Sequence, residues 1–155
     1  MGELGARTLS LGGGRRVPYP TPSSTSATAV MKGNRSRDTK PEVLLRSALH
    51  RRGLRFRKEY GIPVDDRARR VDIVFTRRRL AVFVDGCFWH GCPAHGREPT
   101  ENNEYWQAKL RRNVERDQET TAALTTSGWR VLRIWEHEAL DVAVAAVEAA
   151  LRDTR

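Results

Sequence analysis

An aspartate sits inside the apolar run Val71-Asp72-Ile73-Val74-Phe75, and a second apolar run, residues 80–84, ends against Asp85. Both runs have the length and the β-branched content of strands, and the basic turn Arg77-Arg78-Arg79 joins them as a hairpin connection. Burying an unpaired carboxylate in such a strand is costly, so whatever sheet forms must supply a partner for Asp72. One reading is an acid at a strand edge, facing solvent or pairing with a nearby arginine. The other is a site at which Asp72 and Asp85, carried by adjacent strands beside a basic surface, hold Mg²⁺ and a phosphate.

The rest of the pattern surrounds this hairpin with helices. Thr39 and Glu42 fit a capping box, Val43, Leu44, Leu45, Ala48 and Leu49 give an apolar side, and Gly53 stops the helix. Strands are expected at 54–60, 71–75 and 80–84, forming an antiparallel meander. Residues 87–99 are rich in Gly, Pro, Cys and His without a period, and form a loop built round something other than a core. A long helix starts at Asn102 or Asn103 and runs to about Ser127, closed by Gly128; a strand at 129–135 and a helix at 139–151 follow. This order packs most economically as an α/β fold with helices on both sides of a small mixed sheet. Residues 1–30, rich in Gly, Ser, Thr and Pro, read as a disordered arm, and 31–155 as a single domain.

The chain has 155 residues, with 28 Lys+Arg against 19 Asp+Glu and a formal charge of +9. That excess points to a polyanion, and nucleic acid is the commonest one for such a domain. Lys32, Arg35 and Arg37 form a basic patch just after the arm. No apolar stretch approaches the roughly 20 residues that a membrane span needs, and the first thirty residues lack a secretory pattern, so a reducing cytoplasm is expected. One short chain with one site suggests a monomer.

Three further groups of residues carry chemistry. In the long helix Trp106, Leu110, Val114, Thr121 and Leu124 share one side, and Asp117 falls among them. An inward acid either pairs with a buried arginine or orients an imidazole, and His90 is available for the second role, as a general base acting on water. Cys87, Cys92, His95 and His137 supply four ligands for a structural Zn²⁺, although the spacing is not that of a zinc finger; a Cys87–Cys92 disulfide is the alternative. Phe88 and Trp89 are adjacent in the loop, so at least one should reach the surface, where a ring can wedge into a duplex. Trp106 is open between that role and the core. Glu42 is explained equally by capping and by support of the site.

These segments, with Arg37-Asp38-Thr39-Lys40-Pro41-Glu42, Val82-Phe83-Val84-Asp85-Gly86-Cys87-Phe88-Trp89-His90-Gly91-Cys92, Glu104-Tyr105-Trp106, Asn113-Val114-Glu115-Arg116-Asp117, Gly128-Trp129-Arg130-Val131-Leu132 and Trp135-Glu136, resemble the very-short-patch repair (Vsr) endonucleases over residues 31–140. The resemblance implies a restriction-endonuclease-like α/β/α fold with a zinc loop. It also implies nicking of double-stranded DNA on the 5′ side of the thymine in a T:G mismatch left by deamination of 5-methylcytosine, with other repair proteins as candidate partners. By the same resemblance Asp72 binds Mg²⁺, His90 is the general base, Asp117 supports it and Glu42 lies at the active site. Phe88, Trp89 and Trp106 resemble the aromatic wedge, and Lys32, Arg35 and Arg37 an arm that reaches DNA. Val84-Asp85 departs from the Thr-His of well-studied members: a metal contact through the Val84 carbonyl survives the change, and Asp85 is expected as a second metal ligand. Two rival readings remain, a nuclease of this fold with another DNA target and a zinc-stabilised DNA-binding module without catalysis.

Overall fold

The computed structural model describes residues 38–87, 91–95 and 102–153, together with the backbone of 8–10 and 16–18. The last two segments are β1 (Thr8–Ser10) and β2 (Arg16–Pro18), which pair antiparallel; the rest of the arm lies outside the described residues. The main body follows as α1 (Lys40–Arg51), β3 (Arg57–Val64), β4 (Arg67–Phe75), β5 (Leu80–Asp85), α2 (Asn103–Thr126), β6 (Arg130–Trp135) and α3 (Leu140–Arg152). A single 3₁₀ turn, Thr76–Arg78, joins β4 to β5, with Arg79 left-handed behind it.

The four strands of the body form one mixed sheet in the order β3-β4-β5-β6, the first three an antiparallel meander and β6 parallel to β5. A parallel pair needs a crossover, and the loop with α2 provides it. Leu45 and Leu49 of α1 and Ala143, Val144 and Val147 of α3 pack with Ile73, Phe75, Leu80, Val82 and Ile134 on one face. Leu124 of α2 packs with Ile62, Val64, Val71, Val74, Ala81 and Phe83 on the other. The molecule is therefore three layers, and β5 is apolar at consecutive positions because both of its faces are covered.

The two predicted glycine stops are where they were expected. Gly53 (φ +78°) and Gly128 (φ +84°) are both left-handed, and the residue after each donates back five positions, Leu54 N to Leu49 O at 3.1 Å and Trp129 N to Leu124 O at 3.0 Å. Leu54 and Phe56 then pack on the first cluster, so they are spent on the helix end, and β3 begins three residues later than expected, at Arg57. It also runs further, through Gly61 and Pro63, because the turn at Asp65 (φ +53°) and Asp66 lets residues 61–64 pair with 67–70.

Leu49 is fully buried between α1 and the sheet, and Leu49→Ala is expected to cost about 2–5 kcal/mol. A shift of the denaturant midpoint checks it; a change smaller than about 1 kcal/mol would mean that the layer collapses round the gap.

Candidate active site

Asp72 stands where β4 loses its regularity. Strict alternation would set Val71 with Ile73 and Phe75, yet Val71 lies in the same cluster as Val74, so the faces slip by one residue at Asp72. The pairing with β3 skips the same place: it runs through Lys58↔Ile73, resumes at Tyr60↔Val71, and leaves out Glu59, whose φ is +45°. On the other side the ladder with β5 ends at Ile73↔Val82. Beyond it, Val84 N–H donates to Asp72 Oδ2 at 2.8 Å. A side chain thus takes the place of a main-chain acceptor, which answers part of the cost of placing a carboxylate there.

Glu42, in the first turn of α1, faces this position. It is only 3% exposed, and its Oε2 has no hydrogen-bond partner among the described residues; Arg46 Nη1, also without one, is 3.8 Å away. Burial pushes the Glu42 carboxyl above its ordinary value, the negative charge of Asp72 adds to this, and hydrogen bonds from Thr39 and Asp38 with the charge of Arg46 oppose it. The expected capping box is half present: Thr39 makes no side-chain bond to the helix start, while Glu42 reaches back towards it. Two carboxylates, one holding a buried oxygen with no donor, fit a divalent cation.

Asp85 falls elsewhere. It was expected beside Asp72 as a second metal ligand, but both its oxygens accept from Arg133 Nη1 at 2.9 Å, with the guanidinium 4.4 Å over the Phe83 ring. Arg133 also contacts α2: Nη2 donates to the Asp117 carbonyl at 3.2 Å and lies 3.8 Å from Asp117 Oδ1, and Nε donates to Thr121 Oγ1 at 3.1 Å. An arginine therefore stands beside Asp117, as one of the two sequence readings allowed. Trp106 is half-buried, edge-on to a buried Tyr105, with Lys109 Nζ 5.3 Å from its ring centroid. His90, Phe88, Trp89, Lys32, Arg35 and Arg37 lie outside the described residues.

Cys87, Cys92, His95 and His137 converge. Their ligand atoms all lie within 4.8 Å of one another, with Cys87 Sγ 3.0 Å and Cys92 Sγ 3.7 Å from His137 Nδ1, and Cys92 Sγ 3.9 Å from His95 Nδ1. The cysteines are buried and unbridged, so the disulfide alternative does not hold. The group could hold a metal ion with soft ligands. Burial raises the Cys87 thiol to about 11, helped by Cys92 and Glu136, so a bound cation must displace protons and binding must weaken as pH falls. Glu136, to which the sequence reading gave no role of its own, accepts from Cys87 N–H at 2.9 Å and ties the loop to the end of β6.

Comparison with known proteins agrees with this arrangement. The model of a family described as DNA mismatch endonuclease Vsr matches residues 21–95. A Type II nicking enzyme of Lentzea aerocolonigenes is 55% identical over 130 residues, 83% of this chain and 78% of that protein. Another from Xanthomonas oryzae pv. oryzae is 43% identical over 125 residues, 80% of this chain and 88% of that one. The DNA mismatch endonuclease Vsr of Escherichia coli is 37% identical over 108 residues, 68% and 66% of the two chains. Fold and relatives together define a DNA endonuclease with a restriction-endonuclease-like core. The chain belongs to the Vsr family. No helix among the described residues is long and apolar enough to cross a membrane.

A carboxyl group with a raised folded pKa costs stability as pH climbs from its unfolded value to its folded one. Glu42→Gln fixes the neutral form and is expected to raise the melting temperature of the metal-free protein at neutral pH, with little effect near pH 4. A lower melting temperature at neutral pH would show that the ionised form is already compensated.

Proposed function

We propose that this chain is a Mg²⁺-dependent mismatch endonuclease that nicks one DNA strand on the 5′ side of the thymine in T:G mismatches. The observation that carries the reading is the buried Glu42 carboxyl beside the half-buried Asp72 at the break in the sheet, on a basic chain of the Vsr family. Asp72, with the Val84 carbonyl, is the proposed metal ligand, and Glu42 supports it. Bound there, Mg²⁺ supplies charge stabilisation at the phosphate and brings a water within reach.

The remaining work falls to side chains. His90 takes the proton of the attacking water, and Asp117 holds the imidazole in the tautomer that leaves its other nitrogen free to accept. The negative charge that develops on the phosphoryl oxygens is met by the cationic surface of the chain. Phe88, Trp89 and Trp106 unstack the mismatch, which costs least where pairing is already defective. Lys32, Arg35 and Arg37 contact phosphates, so affinity falls steeply with salt. Asp85, paired to Arg133, is assigned to holding the site together and not to the metal.

The Cys87, Cys92, His95 and His137 group is assigned to Zn²⁺. Sulfur-to-nitrogen separations of about 3.5 Å follow from tetrahedral Zn–S and Zn–N lengths of about 2.3 and 2.0 Å; three of the pairs stand at 3.0, 3.7 and 3.9 Å, and all the ligand atoms lie within 4.8 Å of one another. Four protein ligands leave no position for water, so this ion serves folding and not hydrolysis.

A panel of duplexes carrying each mismatch, with and without Mg²⁺, tests the activity: T:G is expected to be nicked preferentially and only with the metal. Asp72→Ala should reduce nicking by on the order of 10³-fold or more while mismatch binding persists. Equal loss of binding and nicking would mark Asp72 as structural, and nicking indifferent to the mismatch would make the enzyme a nuclease with another target. Purified protein should carry about one zinc per chain, and Cys92→Ser should remove it and lower the melting temperature. An unchanged melting temperature without the metal would refute the structural assignment.

A further inference from the structure

We infer that Arg133 is the positioning residue of this active site: it clamps the middle of α2 to the end of β5 and so sets where Asp117 stands. The inference rests on the reading of Asp117 as support for the general base. α2 is 24 residues long, and its buried residues are Tyr105 and Ala108 near one end and Leu124 near the other. The turns that carry Asp117 contribute no fully buried side chain, so apolar packing, which has no direction, does not fix their rotation or axial position. Arg133 supplies that direction. Its three nitrogens reach two elements at once: Nη1 takes both oxygens of Asp85, while Nη2 and Nε take the Asp117 carbonyl and the Thr121 hydroxyl.

The pair is sheltered enough for this geometry to be held. The Asp85 side chain is 6% exposed and that of Arg133 24%, and the ring of Phe83 covers the guanidinium. A planar fork of donors can bridge a strand end and a helix flank together; a lysine at the same place offers a point charge and cannot make both sets of bonds. Asp85 is also two residues before Cys87, where the loop carrying His90 begins. The clamp thus joins the root of that loop to the helix whose acid is meant to orient its imidazole.

Arg133→Lys, Asp117→Asn and their combination test this on the full chain, with nicking rate at saturating T:G duplex, duplex affinity and melting temperature measured for each. Arg133→Lys is expected to lower kcat by roughly 10- to 100-fold with KM and duplex affinity nearly unchanged. In the Asp117→Asn background the same change should cost less than about twofold, because the two act through one group. Losses that multiply, or full kcat in Arg133→Lys, would overturn the inference while leaving the endonuclease reading intact. Full kcat in a folded Asp117→Asn would overturn the role of Asp117 itself and the clamp with it. If Arg133→Lys does not fold, Asp85→Asn with Arg133→Gln removes both charges together and is judged by the same criteria.

Discussion

The placement of a buried Glu42 carboxyl beside the half-buried Asp72, at the break in the sheet, governs the rest of this structure. A regular β4 would have paired through Asp72 on both sides and left its side chain in an apolar layer. Instead the faces slip by one residue, Glu59 adopts a left-handed conformation opposite, and the Asp72 carboxylate accepts the Val84 N–H. The departure is local because Ile73, Val74 and Phe75 are buried immediately after it and re-establish both faces. Glu42 is relieved only in part: its burial is imposed by α1 packing through Leu45 and Leu49 and its charge is opposed by Asp72, while hydrogen bonds from Thr39 and Asp38 and the charge of Arg46 offset some of this. Apolar packing thus holds together two groups that repel, which is the condition under which a cation gains most from binding.

Asp72 and Asp85 show how adjacent strands separate similar residues. Both acids occupy strands that pair directly, and in sequence they read as one site. Asp72 interacts with Val84 and Glu42, on the side of α1, whereas Asp85 continues the series Ala81 and Phe83 that faces α2. The alternation of side chains across β5 is sufficient to send them to opposite layers. On the α2 side the buried acid is matched by Arg133, and the same argument that flagged Asp72 applies to it: a charged residue at position 133, between Leu132 and Ile134 in a strand, must have a buried partner.

Within residues 38–153, element type and order, both glycine helix stops, the mixed sheet and the Cys/His constellation were legible from the residues; the strands Thr8–Ser10 and Arg16–Pro18 were not. Those features rest on local chemistry: a left-handed φ that favours glycine, an apolar period, ligand types that share a loop. What was not legible depends on partners distant in sequence. The Arg67–Arg70 half of β4 has no apolar period, and it is a strand only because residues 61–64 fold back on it through a two-residue turn. The stripe assigned to α2 is inward, but Leu110 and Val114 are only half-buried, and Tyr105 and Ala108 take the deepest positions. Arg133 and the capping of α3 by Arg130, which donates to the carbonyl oxygens of Ala150 and Asp153, carried no signal of their own.

The loop after β5 shows what replaces a core where apolar residues are lacking. Its root is held by Glu136 accepting from Cys87 N–H, its first turn by Cys92 N–H donating to the Cys87 carbonyl at 3.1 Å, and its ligands by their convergence with His137 from beyond β6. Gly91 sits so close to α2 that a Cβ there would come 3.2 Å from Val114 Cγ2, and its φ of +66° already disfavours any side chain. Loop and helix therefore meet at a glycine, while the helix is fixed to the sheet by Arg133. The described residues on either side of positions 88–90 are thus held by directional bonds and converging ligands. In such a loop, order depends on a few directional contacts, and each one lost releases several residues at once.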